Sequence, residues 1–442
     1  MKQLLAYCLS IILCVSFTGC MENYLDLYPE DKITSASFPE NESDIKLLLN
    51  GVYAQLREKE VYNQGLFGFG ITDGATPNAF NWGTDEVFNK LGAGRLSSSD
   101  GGVVTYRWKR CYEIISRANY LLACMDLVDL SEEAKAKYSG ETHFLRGLAY
   151  SVLAETYGGV PIILTDISTE EARSLKRASL EETWQQALDD YEVAITNLGV
   201  DAPEPGRATK GAALGMKMRA YLYQGKYKEV LSCVEQIDAL KKYGLFHSYE
   251  GLFDPANENN KEVLFDIQYI EGENSQGSYI DQYCGTGTGS WTRGSRYVPT
   301  DDLVAAYETI DGSPVDPDNP YENRDPRLGF TAVLPGSYFL GYRFPNYLYP
   351  GGAFNHAGNR LKHLSTRKYR IQDESKLPPS GQSYINDIIL RYADVLLSKA
   401  EAIIETNGSV ADAIAILNRI RTERDDVKIS LLPTSMSREE AR

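Results

Sequence analysis

Residues 210–240 read KGAALGMKMRAYLYQGKYKEVLSCVEQIDAL, and their spacing predicts two helices joined at Gly225. Small and apolar residues recur at helical intervals on both sides of that glycine. A turn of the form G-x-Y, with Ala and Tyr on the facing sides, is similar to the turn of a tetratricopeptide repeat. The same pattern returns in AEAIIETNGSVADAIAILNRI (400–420), where Asn407-Gly408 joins Asp387–Glu405 to Val410–Arg424.

Working outward, Asp44–Leu56 places Ile45, Leu48, Leu49, Val52, Tyr53 and Leu56 on one helix face. Trp108–Met125 repeats the pattern through Cys111, Ile114, Ile115, Ala118, Leu121 and Leu122. GETHFLRGLAYSVLAETYGGVPII (140–163) is a long helix closed by Gly158-Gly159 and stopped by Pro161, and a further helix spans 180–198. The expected scaffold is therefore mainly α, with four tetratricopeptide-like pairs at about 44–56/106–125, 140–157/180–198, 210–240 and 387–424.

Between the pairs lie two long segments of different character, 60–105 and 265–385. The first contains GLFGFGITDGATPNAFNWGTDEVF; the second contains QGSYIDQYCGTGTGSWTRGSRY and LGYRFPNYLYPGG. Both are rich in Gly and aromatics and lack helical period, so they read as irregular insertions. Long loops on a compact scaffold commonly carry function.

The 442-residue chain carries 45 Lys and Arg against 61 Asp and Glu, a net charge of −16. Such a surface repels phosphate backbones and argues against nucleic acid as a partner. Thirty Tyr and four Trp outnumber 14 Phe. Rings with a polar handle suit wet surfaces and sugar faces, although a Tyr-rich helical core has the same composition. Cys111, Cys124, Cys233 and Cys284 form no C-x-x-C pair and read as buried thiols.

At the N-terminus Lys2 precedes an apolar run, Leu4–Phe17, too short to cross a bilayer, which needs about 20 apolar residues. Residues 1–19 read as a signal peptide, and only Cys20, with Gly19 before it, suits lipidation; Phe17 stands where Leu is usual. The alternative is an ordinary secretory signal in which Cys20 is incidental.

No local catalytic motif appears. The four histidines form no ligand-spaced cluster, and GTGTGS (285–290) lacks the Lys of a phosphate loop. Asp311, Asp316 and Asp318 fall close together but without the spacing and terminal Glu of a calcium loop. No catalytic residue, metal or cofactor is expected. Asn323-Arg324-Asp325-Pro326-Arg327 reads as a turn whose arginines pin nearby carboxylates.

The residues that suit a sugar are aromatic faces beside polar side chains. In the first insertion these are Asp73, Asn78, Phe80, Asn81 and Trp82; in the second they are Tyr279, Tyr283, Trp291 and Arg293. Trp82 and Trp291 rank first, the competing reading being that each packs its loop onto the scaffold.

Taken in order, the lipidation segment, NYLDLYPEDKITSASF (23–38), the Trp108–Leu122 helix, GETHFLRGLAYSVLAETYGGVPII, NRDPRL (323–328) and RYADVLLSKAEAI (391–403) resemble the SusD/RagB family of nutrient-binding lipoproteins. The resemblance implies one SusD-like domain over 20–442 with four helical repeats and an irregular ligand-binding part. It implies an outer-membrane, cell-surface location and glycan capture without catalysis. It also implies a partner, a SusC-like TonB-dependent β-barrel transporter that receives the oligo- or polysaccharide. Rival readings are a binder of a non-sugar nutrient such as peptide, and a glycoside hydrolase. The chain ends at TSMSREEAR, where family members continue, and Ser437 with Glu440 announces a helix; the expectation is a shortened C-terminus.

Overall fold

Asn41, heading the first helix, accepts from the Ser43 and Asp44 N–H groups, and the Asp44 carboxylate reaches back to the cap. This capping box satisfies donors that a helix N-terminus otherwise leaves unmet. The computed structural model describes residues 38–57, 73–81, 90–97, 99–271, 277–278, 280, 297–340, 342–344, 364–371, 373–379 and 382–442.

The scaffold helices are α1 (Glu42–Ala54), α2 (Val103–Cys124), α3 (Glu132–Tyr157), α4 (Leu180–Asn197), α5 (Lys210–Tyr223), α6 (Tyr227–Ala239), α7 (Tyr392–Glu405) and α8 (Val410–Thr422). Each packs on the next in the chain, and α1 also touches α3. The fold is mainly α, with the helices stacked as successive antiparallel pairs. Gly225 turns α5 into α6 at φ +67°, a left-handed conformation that a side chain strains. Gly215 on α5 lets a strand come close: a Cβ there would lie 2.3 Å from Leu390 Cδ2.

Helix α3 is the axis of the core. Phe144, Leu145, Leu148, Ala149 and Tyr150 are all 0% exposed, and burial covers every face of its middle turns. A helix apolar on all sides belongs inside. Removing one such leucine costs about 2–5 kcal/mol through lost transfer energy and the cavity left behind. The helix begins eight residues earlier than its apolar stretch, because Ser131 caps it through Ala134 N–H at 3.2 Å.

Much of the tyrosine excess belongs to this scaffold. Tyr150 and Tyr191 are fully buried, and their hydroxyls meet Ile163 O at 2.9 Å and Ser151 Oγ at 2.9 Å. Tyr112 donates to Pro161 O, Tyr53 to Glu141 and Tyr392 to Asp238. Cys111, Cys124 and Cys233 are buried free thiols.

Short strands organise the insertions: β1 (Ala79–Asn81), β2 (Val263–Ile267), β3 (Tyr297–Pro299), β4 (Ala332–Val333), β5 (Tyr338–Phe339), β6 (Tyr342–Arg343), β7 (Ser365–Thr366) and β8 (Asp387–Arg391). Antiparallel pairs join β1 to β3, β2 to β8, β4 to β7 and β5 to β6. The expected helix over Asp387–Glu405 is corrected here. Its first five residues, DIILR, form β8 against β2, and the helix starts at Tyr392. The β-branched run suits a strand whose partner lies far back in the chain.

Buried ion pairs tie these layers together. Glu262, fully buried, accepts from both Arg424 Nη atoms at 2.7 Å, from Arg391 at 2.9 Å and from Phe246 N–H at 2.7 Å. Arg146 on α3 makes a two-pronged contact with Asp190 on α4 and also donates to Asn119 on α2. The 323–327 turn departs from its reading in one respect. Arg327 does pin Asp325 at 2.6 Å, but Arg324 donates to three carbonyls, Pro320 O, Val304 O and Tyr307 O, each at 2.6 Å. In 311–320 the aspartates serve turns: Asp311 accepts from Ser313 N–H, and Asp316 from Asp318 N–H and the Asn319 amide.

Candidate carbohydrate-binding ribbon

The two insertions meet at the β1–β3 ribbon. Ala79, Phe80 and Asn81 pair with Pro299, Val298 and Tyr297 in antiparallel register. The pairing extends by one step, because Thr300 N–H donates to Asn78 O at 3.1 Å, and the Thr300 hydroxyl reaches Pro77 O. Thr300 also caps the following short helix through Leu303 N–H at 3.1 Å. One residue thus locks the ribbon to the second insertion and starts Asp301–Ala306.

Alternation along β1 sends neighbouring side chains to opposite faces. Val298, opposite Phe80, is buried, whereas the Phe80 ring is 48% exposed. Asn78 is exposed at the entry to the strand. The ribbon is backed by further strands: β3 lies against β7, and β7 pairs with β4. The β5–β6 hairpin packs Phe339 into a small core with Val333, Leu340 and Phe344. On that hairpin Tyr338 is 69% exposed. Phe80, half exposed on the paired ribbon with Asn78 exposed beside it, offers an apolar ring next to a polar group, a combination that suits a sugar ring.

The sequence-derived candidates divide as follows. Asn78, Phe80 and the Asn81 backbone come together on the ribbon. Asp73 does not join them; it lines an interior cleft, where burial pushes its carboxyl above the usual range against the opposing charge of Lys368. Trp82, Tyr279, Tyr283, Trp291 and Arg293 lie outside the described residues, as does Cys20. Trp82 is the residue after β1, and Trp291 precedes β3 in the same chain segment. Sequence reasoning passed over Tyr338, which stands in PGSYFLGYRF and has no helical or strand period to single it out. The aromatic content of that stretch was its one signal.

Among the described residues no group of three or more His, Cys, Asp or Glu side chains is arranged to hold a metal ion, and no helix is long and apolar enough to cross a membrane.

Comparison with known proteins identifies the family of the fold. Residues 23–222 match the SusD-like family described as starch-binding and associating with the outer membrane, and residues 261–425 match the SusD family model. The SusD-like protein P25 of Formosa agariphila is 26% identical, over 95% of this chain and 81% of its own. A crystal structure of a SusD-like carbohydrate-binding protein from Bacteroides fragilis superposes with a TM-score of 0.79 at 26% identity, covering 90% of this chain and 81% of that one. A second SusD-like protein of the same organism gives 0.77 at 26% identity, over 94% and 84%. The two family models between them span most of the helical scaffold and of the second insertion, and the chain belongs to the SusD/RagB family.

Proposed function

We propose that this protein is a cell-surface lipoprotein, acylated at Cys20 and held at the outer membrane, that captures an oligo- or polysaccharide and delivers it to a SusC-like TonB-dependent barrel. The observation that carries the reading is the β1–β3 ribbon, which brings two aromatic-rich insertions together and leaves Phe80 half exposed beside Asn78. The similarity to a carbohydrate-binding protein of Bacteroides fragilis supports the ligand class. Binding needs no chemistry, and the relatives compared carry SusD-like names rather than enzyme names.

Trp82 and Trp291 are proposed as the principal stacking residues, flanking the ribbon in sequence, with Asn78, Asn81, Tyr279, Tyr283 and Arg293 supplying partners for hydroxyls. Multiple acyl chains on Cys20 would hold the protein far more firmly than one chain can.

Electrophoresis through gels cast with different polysaccharides tests the binding. The wild type should be retarded by at least one glycan, and Trp82→Ala and Trp291→Ala less so. Retardation by none of a broad panel, with peptide binding in its place, would shift the reading to a non-sugar nutrient; loss of the glycan during the run would point to hydrolysis. Metabolic labelling with palmitate should mark the wild type and not Cys20→Ala. Copurification of a β-barrel from solubilised membranes tests the transporter partnership.

A further inference from the structure

A cleft of about 390 Å³ opens between α2, α3 and α5 on one side and β8 with the Lys368–Tyr369 segment on the other. That volume lies within the range of small-molecule sites, about 300–1,000 Å³. Its walls are unusually rich in charge for a space bounded by a hydrophobic core.

Two of the cations are already committed, Arg219 to Asp394 at 2.5 Å and Arg391 to Glu262 at 2.9 Å. The remaining charged groups of the cleft form no ion pair among the described residues. Among the described residues the Arg107 guanidinium has no hydrogen bond or ion pair, and its Nε is buried. Glu155 and Asp387 likewise line the cleft with no hydrogen bond to their carboxyls. The Lys368 ammonium forms no ion pair there and lies among three rings, 4.3 Å from the Phe253 centroid, 5.7 Å from that of Tyr249 and 5.8 Å from that of Tyr369. A buried polar atom without a partner is costly, so the Arg107 Nε calls for a complement.

How these groups are distributed decides what complement fits. Arg107 is grouped with Glu155, and Lys368 with Asp73, each cation offsetting the desolvation of the carboxyl beside it. The cleft therefore offers donors and acceptors together. A simple ion of either sign would meet one favourable and one opposing charge. Adjacent hydroxyls on a ring suit both, because one can donate to a carboxylate while its neighbour accepts from a guanidinium or ammonium group. Tyr223, 56% exposed and in the cleft wall, adds a ring face. We propose that this cleft is a subsite for a neutral polyhydroxyl ligand, a short sugar segment, held by Arg107 with Glu155 and by Lys368 with Asp73 and Asp387. The ligand class rests on the carbohydrate reading above; the site is additional to the ribbon.

Calorimetric titration with a panel of mono- and disaccharides tests it on the wild-type protein and on Arg107→Gln, Asp387→Asn and Phe80→Ala. Circular dichroism melts would establish that the variants are folded. The expected result is saturable binding of a short saccharide, weakened at least ten-fold by Arg107→Gln and by Asp387→Asn. Saccharide binding that both cleft variants retain and Phe80→Ala loses would overturn the subsite and leave the ribbon standing. No saccharide binding by the wild type, long chains included, would overturn both. Saturable heat with sodium acetate or ethylammonium chloride, and none with sugars, would make the cleft an ion site and refute the inference.

Discussion

Glu262 offers a direct test of how the irregular part is fastened to the helices. Its carboxylate is fully buried, accepts two 2.7 Å bonds from Arg424 and one of 2.9 Å from Arg391, and so links the start of β2 to the end of the last helix pair and to β8. Glu262→Ala leaves the Arg424 guanidinium, 1% exposed at its side chain, charged and without its carboxylate; Arg391, 26% exposed, can still turn toward water. Breaking a buried pair from one side costs about 3–5 kcal/mol, most of it the stranded charge. Arg424→Met alone should cost a similar amount, so independent effects would sum to about 6–10 kcal/mol. The double variant Glu262→Ala with Arg424→Met should fall well short of that sum, because neither charge of the pair is left buried. Urea denaturation followed by circular dichroism, on the four proteins of the cycle, reads the coupling. A cost below about 1 kcal/mol for Glu262→Ala, or strictly additive single and double variants, would refute the reasoning.

Gly159→Ala should be poorly tolerated, because its Cβ would lie 2.0 Å from the Ala178 carbonyl oxygen, a backbone atom with no rotamer to relieve it; a lowered melting temperature against an unaffected Gly101→Ala control, whose Cβ would meet only Thr105 Oγ1 at 4.0 Å, checks this. The pH dependence of stability follows from Asp387, whose carboxyl burial pushes up to about 7, with the negative charges of Asp266 and Asp73 adding to the effect. The folded-state value lies above the unfolded one near 4, so the stability it contributes is complete below about pH 4 and is lost as pH rises toward 7. Asp387→Asn should accordingly gain on the wild type as pH rises from 5 to 8, by about 2 kcal/mol once solvent access through the cleft is allowed for. A difference in melting temperature that stays constant or reverses over that range would contradict it.

How much of this was legible in the sequence depends on how local each signal is. The α4 start was written in Ser179 and Glu182, whose side chains and N–H groups exchange hydrogen bonds in a capping box, and the α5–α6 turn in Gly225. The β8 strand was not, because DIILR satisfies a helical spacing as readily as a strand, and its partner Val263–Ile267 lies in a distant segment. Phe80 and Asn78 could be picked out as an aromatic beside an amide. Their pairing with the Tyr297–Thr300 segment could not, since register is set by tertiary contacts. Lys368, Glu155 and Asp387 carry no common spacing, so the cleft they line is invisible until the chain is folded. The same holds for Arg324, whose carbonyl partners are fixed by the loop around it rather than by the neighbouring acids.

The central claim is that the surface built where the two insertions meet is the one that carbohydrate covers. Hydroxyl-radical footprinting with a saturating oligosaccharide, drawn from the glycan that retards the protein in gels, addresses it most directly. Phe80 at 48%, Tyr338 at 69% and Tyr120 at 40% exposure are all open to labelling in the free protein, and Tyr120 sits on the scaffold helix α2. The account predicts strong protection of Phe80, weaker protection of Tyr338 and none of Tyr120. Protection of Tyr120 with Phe80 labelled at its free rate would contradict it.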